Sequence, residues 1–202
     1  MYSTLEKTIN ELPVNQLSED RKEVLKDLIN YIQSKLDQTL PVRLNFICTH
    51  NSRRSQFSQI WAQTAARFYN IPAANYSGGV EVTAFNERAV KAIEKAGFIV
   101  KKEGAGNPEY KIYLSDNAQP ITAFSKVFDD SSSPTQGFAA IMTCSHADEN
   151  CPFIPGADAR IPVRYDDPKA FDYTPKEAEM YEQRSIQIAT EMFYVFSQIS
   201  KK

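Results

Sequence analysis

Apolar residues recur at helical spacing early in the chain: Val24, Leu25, Leu28, Ile29, Ile32 and Leu36 follow a capping serine, Ser18, and predict a helix that Pro41 ends. The period then changes. Val42 to Ile47 predicts a strand, residues 48–55 form a polar loop, and Phe57, Ile60, Trp61, Thr64 and Phe68 return to helical spacing. Tyr76 to Val80, containing Gly78 and Gly79, predicts a second strand. Asn86 caps a helix whose apolar face is Ala89, Val90, Ile93 and Ala96, with Gly97 at its exit. Phe98 to Val100 opens another extended stretch, and Tyr110 to Leu114 and Ile121 to Phe128 read as a hairpin turning through Asp116 and Asn117. Phe138 to Thr143 is a continuous run of apolar and small residues, the pattern of a buried strand, with Cys144 at its end. Ile161 to Tyr165 is the last predicted strand. Thr174, Pro175 and Glu177 read as a capping box, with proline at the first helical position, before a helix carrying Tyr181, Ile188, Met192, Val195 and Ile199.

Strand and helix alternate, which predicts an α/β fold: three layers, with a mainly parallel four-stranded sheet and helices on both faces. The expected organisation is a helical extension over 1–40 and a main domain over 41–202, with a β-hairpin inserted at about 101–136. Over 202 residues, 23 Lys and Arg stand against 25 Asp and Glu, a net charge of −2, which leaves no basic field for a nucleic acid. No apolar run is long enough to cross a bilayer, and residues 1–13 lack the basic-then-apolar order of a secretory leader, so the expected location is cytoplasmic. Three cysteines are too few, and odd in number, for a disulfide scaffold; they suit thiols kept for reactivity.

The loop after the first strand carries the chemistry. In Cys48-Thr49-His50-Asn51-Ser52-Arg53-Arg54-Ser55, backbone N–H groups can converge at a helix N-terminus and cradle an anion. A cysteine held there beside Arg54 favours the thiolate and is nucleophilic. The planar fork of Arg54 suits two oxygens of a tetrahedral oxyanion while the loop serves the others, and Ser55 can donate a hydrogen bond to the Cys48 sulfur. Thr49 to Ser55 are the expected substrate-binding residues.

From Ile47-Cys48 to Ser55, through Asn75-Tyr76-Ser77-Gly78-Gly79 and Asn86 to Ala96, the chain resembles the low-molecular-weight protein tyrosine phosphatase family, with its Cys-x5-Arg-Ser loop in the first βα unit. The resemblance spans about residues 42 to 200, with 101–136 poorly matched. It implies that Asp167, before Pro168, is the general acid. Cys144-Ser145-His146-Ala147-Asp148-Glu149-Asn150-Cys151-Pro152 resembles the thioredoxin-coupled arsenate reductase branch. That resemblance implies a relay: Cys48 attacks arsenate, Cys144 attacks the Cys48 sulfur and expels arsenite, Cys151 resolves the bridge, and thioredoxin reduces the product. Two thiols forming a disulfide supply the two electrons that arsenate reduction needs.

The alternatives are a phosphatase acting on phosphotyrosine or another phosphomonoester through a cysteinyl-phosphate, and a non-catalytic redox or oxyanion sensor. Cys48, His50, Cys144, His146 and Cys151 have spacings that fit no common zinc motif. Some relatives bind potassium through an acidic residue on the helix after the loop. Gln59 stands there, so no metal and no cofactor beyond thioredoxin is expected. Tyr110, Tyr113 and Phe124 are candidates for the rim of the site, and the 1–40 helix for a further part of the core.

Overall fold

The computed structural model describes residues 1–150 and 153–200. Four parallel strands, β1 (Val42–Cys48), β2 (Ala73–Gly79), β6 (Phe138–Met142) and β7 (Ala157–Pro162), lie in the order β2-β1-β6-β7. β1 is the central strand next to both β2 and β6, pairing Cys48 with Gly79 and Ile47 with Met142. The polar loop and Cys144 therefore leave the sheet side by side at the carboxyl ends of neighbouring strands, where open α/β sheets bind ligands. β7 begins four residues before the expected strand and stops at Pro162; the backbone N–H groups of Val163 and Tyr165 still bond to Met142 and Thr143.

Alternating side chains divide the sheet between two cores. Leu44, Phe46, Ala139, Ile141 and Ile161 join the large one, which also takes in residues of α1 (Ser3–Asn10), α2 (Glu19–Asp37), α3 (Arg54–Phe68), α4 (Glu87–Lys95) and α6 (Glu177–Ser197). At its centre Trp61 meets the rings of Phe98 and Phe193 edge-on and donates its indole N–H to Ser185 Oγ at 2.9 Å. On the opposite face Ile47, Ala140 and Met142 form a smaller cluster with Cys48, Cys144, Phe138, Ile154 and Ala147 of the short α5 (Ser145–Asn150). Leu5, Ile9, Leu25, Leu28 and Ile32 from the first forty residues sit in the large core.

Two expectations need correction. The region after α4 is more than a hairpin: the expected antiparallel pair is present as β4 (Glu109–Tyr113) and a shorter β5 (Ile121–Ala123), and β3 (Ile99–Glu103) joins β4 to make a three-stranded antiparallel sheet. The start of β3 falls in the extended stretch expected from Phe98 to Val100, but its last three residues are Lys101, Lys102 and Glu103 and it is largely exposed, so no apolar alternation marked its full length or its pairing. The capping box also does not form. The helix starts only at Glu177, whose carboxylate takes the Tyr173 N–H at 2.6 Å and pairs with Arg88 at 2.7 Å, while Thr174 Oγ1 accepts from Lys176 N. By contrast, Ser18 and Asn86 cap their helices as expected.

Glu191 of α6 fastens the amino-terminal helices to the rest. Its side chain is 1% exposed and takes both arms of Arg21, at 3.0 and 2.7 Å, and the Tyr165 hydroxyl at 2.8 Å. Burial, then the charge of Glu191, pushes the Tyr165 hydroxyl well above an ordinary phenol, so it stays a donor. Removing Arg21 would strand a buried carboxylate. Arg21→Ala is expected to cost about 3 kcal/mol of stability, read as a lower urea midpoint at unchanged slope.

Candidate active site

The 48–55 loop is shaped by side chains that point away from its interior. Asn51 adopts a left-handed conformation, φ 45°, which asparagine tolerates better than most residues. Its Oδ1 accepts the Lys126 N–H at 3.0 Å and its Nδ2 donates to Ser55 Oγ at 2.8 Å. Ser52 Oγ donates to Ala84 O, the His50 carbonyl accepts from Ser125 Oγ and Thr83 Oγ1, and Gln56 Nε2 donates to Asn51 O. Among the described residues no group accepts the backbone N–H groups of residues 50–55, which leaves them for an anion. The side chains of Asn51 and Ser52 and the carbonyl of His50 bond to neighbouring segments, so the main-chain N–H groups are what the loop has left to offer an anion. His50 Nε2 lies 3.4 Å from Glu81 and is exposed.

Cys48 and Ser55 meet at 3.0 Å between Sγ and Oγ. A narrow pit lined by Cys48, His50, Ser52, Arg53, Arg54 and Asp167 opens over them. Arg54 donates to Asp167 Oδ2 at 2.7 Å and to the Tyr165 carbonyl at 3.1 Å, and its buried Nε has no hydrogen-bond partner, leaving a donor for an incoming oxygen. Asp167 also caps the short turn Pro168–Phe171 by accepting from Lys169 N at 3.0 Å. Its neighbour Asp166 has a side chain 97% exposed and reaches only Arg184, at 3.5 Å.

Arg53, largely buried beside the pit, lies 3.9 Å from both Asp167 and Asp172. Its Nε donates to Tyr181 Oη at 2.8 Å, and Tyr181 donates on to Asp172 Oδ1 at 2.8 Å. Burial, reinforced by Asp172, pushes the Tyr181 hydroxyl up to about 12. Arg88, pairing with Glu177, lies over the Tyr173 ring at 4.7 Å. The segment bearing Asp167 is thus pinned from both ends. Sequence reasoning missed Tyr181 and Asp172 as partners of the loop, because they lie more than a hundred residues beyond it and only their polarity marks them.

Cys144 is buried, and its sulfur accepts the Ala147 N–H at 3.4 Å. Thr49 Oγ1 lies 3.5 Å from that sulfur and 3.3 Å from His146 Nδ1, so a loop hydroxyl stands between the two strand ends. Cys151 lies outside the described residues. Tyr110, Tyr113 and Phe124 do not border the pit; Tyr110 is buried against Phe85, and the inserted region reaches the loop from behind through Ser125 and Lys126.

Among the described residues no group of three or more His, Cys, Asp and Glu could hold a metal. Gln59 fits a potassium ion poorly: its amide is neutral, its oxygen already accepts from Ser77 Oγ at 2.6 Å, and its nitrogen donates to Thr122 O. No helix among the described residues is long and apolar enough to cross a membrane.

Gly79 sets how closely β2 approaches the loop. A Cβ there would meet Glu81 O at 2.6 Å, Asn51 N at 2.8 Å and Thr49 O at 2.9 Å, all backbone atoms that cannot swing aside. Gly79→Ala is expected to weaken inorganic phosphate binding at least about tenfold by calorimetry, with the circular dichroism spectrum unchanged.

No protein-family model matches the chain. It is 28% identical to the arsenate reductase of Staphylococcus aureus (strain Newman) over 124 residues, 61% of this chain and 76% of the relative. A low-molecular-weight phosphotyrosine phosphatase from Vibrio cholerae O395 superposes with a TM-score of 0.52 at 13% identity, covering 77% of this chain and 95% of that one. A low-molecular-weight protein tyrosine phosphatase from T. tengcongensis gives 0.51 at 16% identity, covering 78% and 99%. With its parallel β2-β1-β6-β7 sheet and its anion loop after β1, the chain has the low-molecular-weight phosphotyrosine phosphatase fold, and its sequence is similar to those of arsenate reductases.

Proposed function

We propose that this chain is an enzyme that reduces arsenate to arsenite with its own thiols and returns to the dithiol state at the expense of thioredoxin. Arsenate docks against the N–H groups of the loop and the free Nε of Arg54. The Cys48 sulfur forms a bond to arsenic as the bond to an arsenate hydroxyl breaks, that hydroxyl taking a proton from Asp167 and departing as water. The Cys144 thiolate then attacks the Cys48 sulfur. A sulfur–sulfur bond forms, the sulfur–arsenic bond breaks, and its electron pair stays on arsenic, which leaves as arsenite. Cys151 attacks Cys144, frees Cys48, and leaves a disulfide that a thioredoxin dithiol reduces.

The observation that carries this reading is the place of Cys144. A hydrolase needs one thiol at the anion loop, yet here a second is buried at the adjacent strand end, in contact with the hydroxyl of the residue after Cys48. The competing reading, phosphomonoester hydrolysis, is supported by the fold and uses the same Cys48, Arg54 and Asp167, with water releasing phosphate from the cysteine.

Cys144→Ser separates them. Arsenate-dependent NADPH consumption through thioredoxin and thioredoxin reductase is expected to fall at least about a hundredfold, while hydrolysis of p-nitrophenyl phosphate stays within about threefold of the parent. A parent protein that hydrolyses the aryl phosphate and consumes no NADPH with arsenate would make the chain a phosphatase.

A further inference from the structure

A second cavity, of about 250 Å³, shares no lining residue with the pit at Cys48; Gln59, Arg67, Asn75, Phe124 and Lys126 are among its walls. It offers several times the ~30 Å³ that a water molecule takes in the liquid. Its walls hold polar groups whose needs the protein leaves unmet. Lys126 is only 5% exposed, and its ammonium lies 4.3 Å from the centre of the Phe124 ring. Among the described residues no carboxylate comes within ion-pair distance of it. The acids close enough to be felt, Asp130 and Glu109, are engaged elsewhere: Asp130 takes the N–H and O–H of Ser132, and Glu109 pairs with Lys111. Desolvation outweighs both and pushes the Lys126 ammonium down to about 8.

Arg67 adds a second cation, anchored through one arm to Gln119 O at 2.8 Å and lowered in pKa by burial. An ammonium with no ion-pair partner among the described residues and a guanidinium, both from residues that wall one cavity, are complementary to a small ligand that carries negative charge.

We propose that this cavity is a binding site for a small dicarboxylate, held by Lys126 and Arg67. The site is wired to the anion loop, since the backbone of Lys126 donates to Asn51 Oδ1 and accepts from Gly79 N. It does not depend on which reaction occurs at Cys48.

Calorimetric titration of the whole chain with L-malate tests this. One saturable site is expected at pH 7, unaffected by Cys48→Ser or by saturating phosphate, and weakened at least about tenfold by Lys126→Met. Arg67→Gln, at a partly exposed position, is expected to weaken it comparably and serves if the Lys126 variant does not fold. Affinity should drop as pH rises through 8, because the ammonium loses its proton while malate and Arg67 keep their charges. The absence of saturable binding, equal affinity in the folded variants, or displacement of malate by phosphate would overturn the proposal; the last would place malate in the anion loop.

Discussion

The site depends on one constraint: a run of backbone N–H groups in the 48–55 loop must be kept unpaired, against the chain's strong tendency to bond them. The structure meets it by turning the loop's polar side chains outward and giving each a partner on a different element. Asn51 is the pivot. Its left-handed backbone reverses the chain, and its amide ties Ser55 on one side to the main chain of Lys126 on the other. Ser55 in turn meets the Cys48 sulfur, so that sulfur and the insertion after α4 are three hydrogen-bonded contacts apart.

A second set of contacts fixes Asp167 relative to the loop. Arg54 holds Asp167 directly, and Arg53 reaches Asp172 through Tyr181. Glu191 steadies Tyr165, whose carbonyl also receives Arg54, and the same carboxylate is the anchor for Arg21 of α2. The amino-terminal helices thus bear on the site through a buried charge pair, besides contributing apolar side chains to the large core.

The parallel sheet and the main helices were legible because their apolar runs are long and periodic, and Phe138 to Met142 shows this most clearly. The loop was legible because cysteine, arginine and serine at fixed spacing stand between a strand and a helix. What escaped is what depends on distant partners. The second half of β3, Lys101 to Glu103, is polar and exposed, so only pairing with β4 makes it strand. Glu177 looked like a capping residue, but Arg88 and the Tyr173 N–H claim it. Arg53 and Arg54 are adjacent and chemically identical in the sequence; only the fold sends one to Asp167 and the other chiefly to Tyr181.

The division of the interior into two unequal clusters has a mechanical consequence. Both described thiols belong to the smaller one, which a single short helix helps to cover, whereas the larger cluster holds the long helices together. Cys144 is almost entirely enclosed, so any chemistry at its sulfur requires that the lesser cluster part. Because few apolar contacts bind that cluster, it can come apart as a local event while the greater one stays closed. The fold can therefore bare the Cys144 sulfur without unfolding.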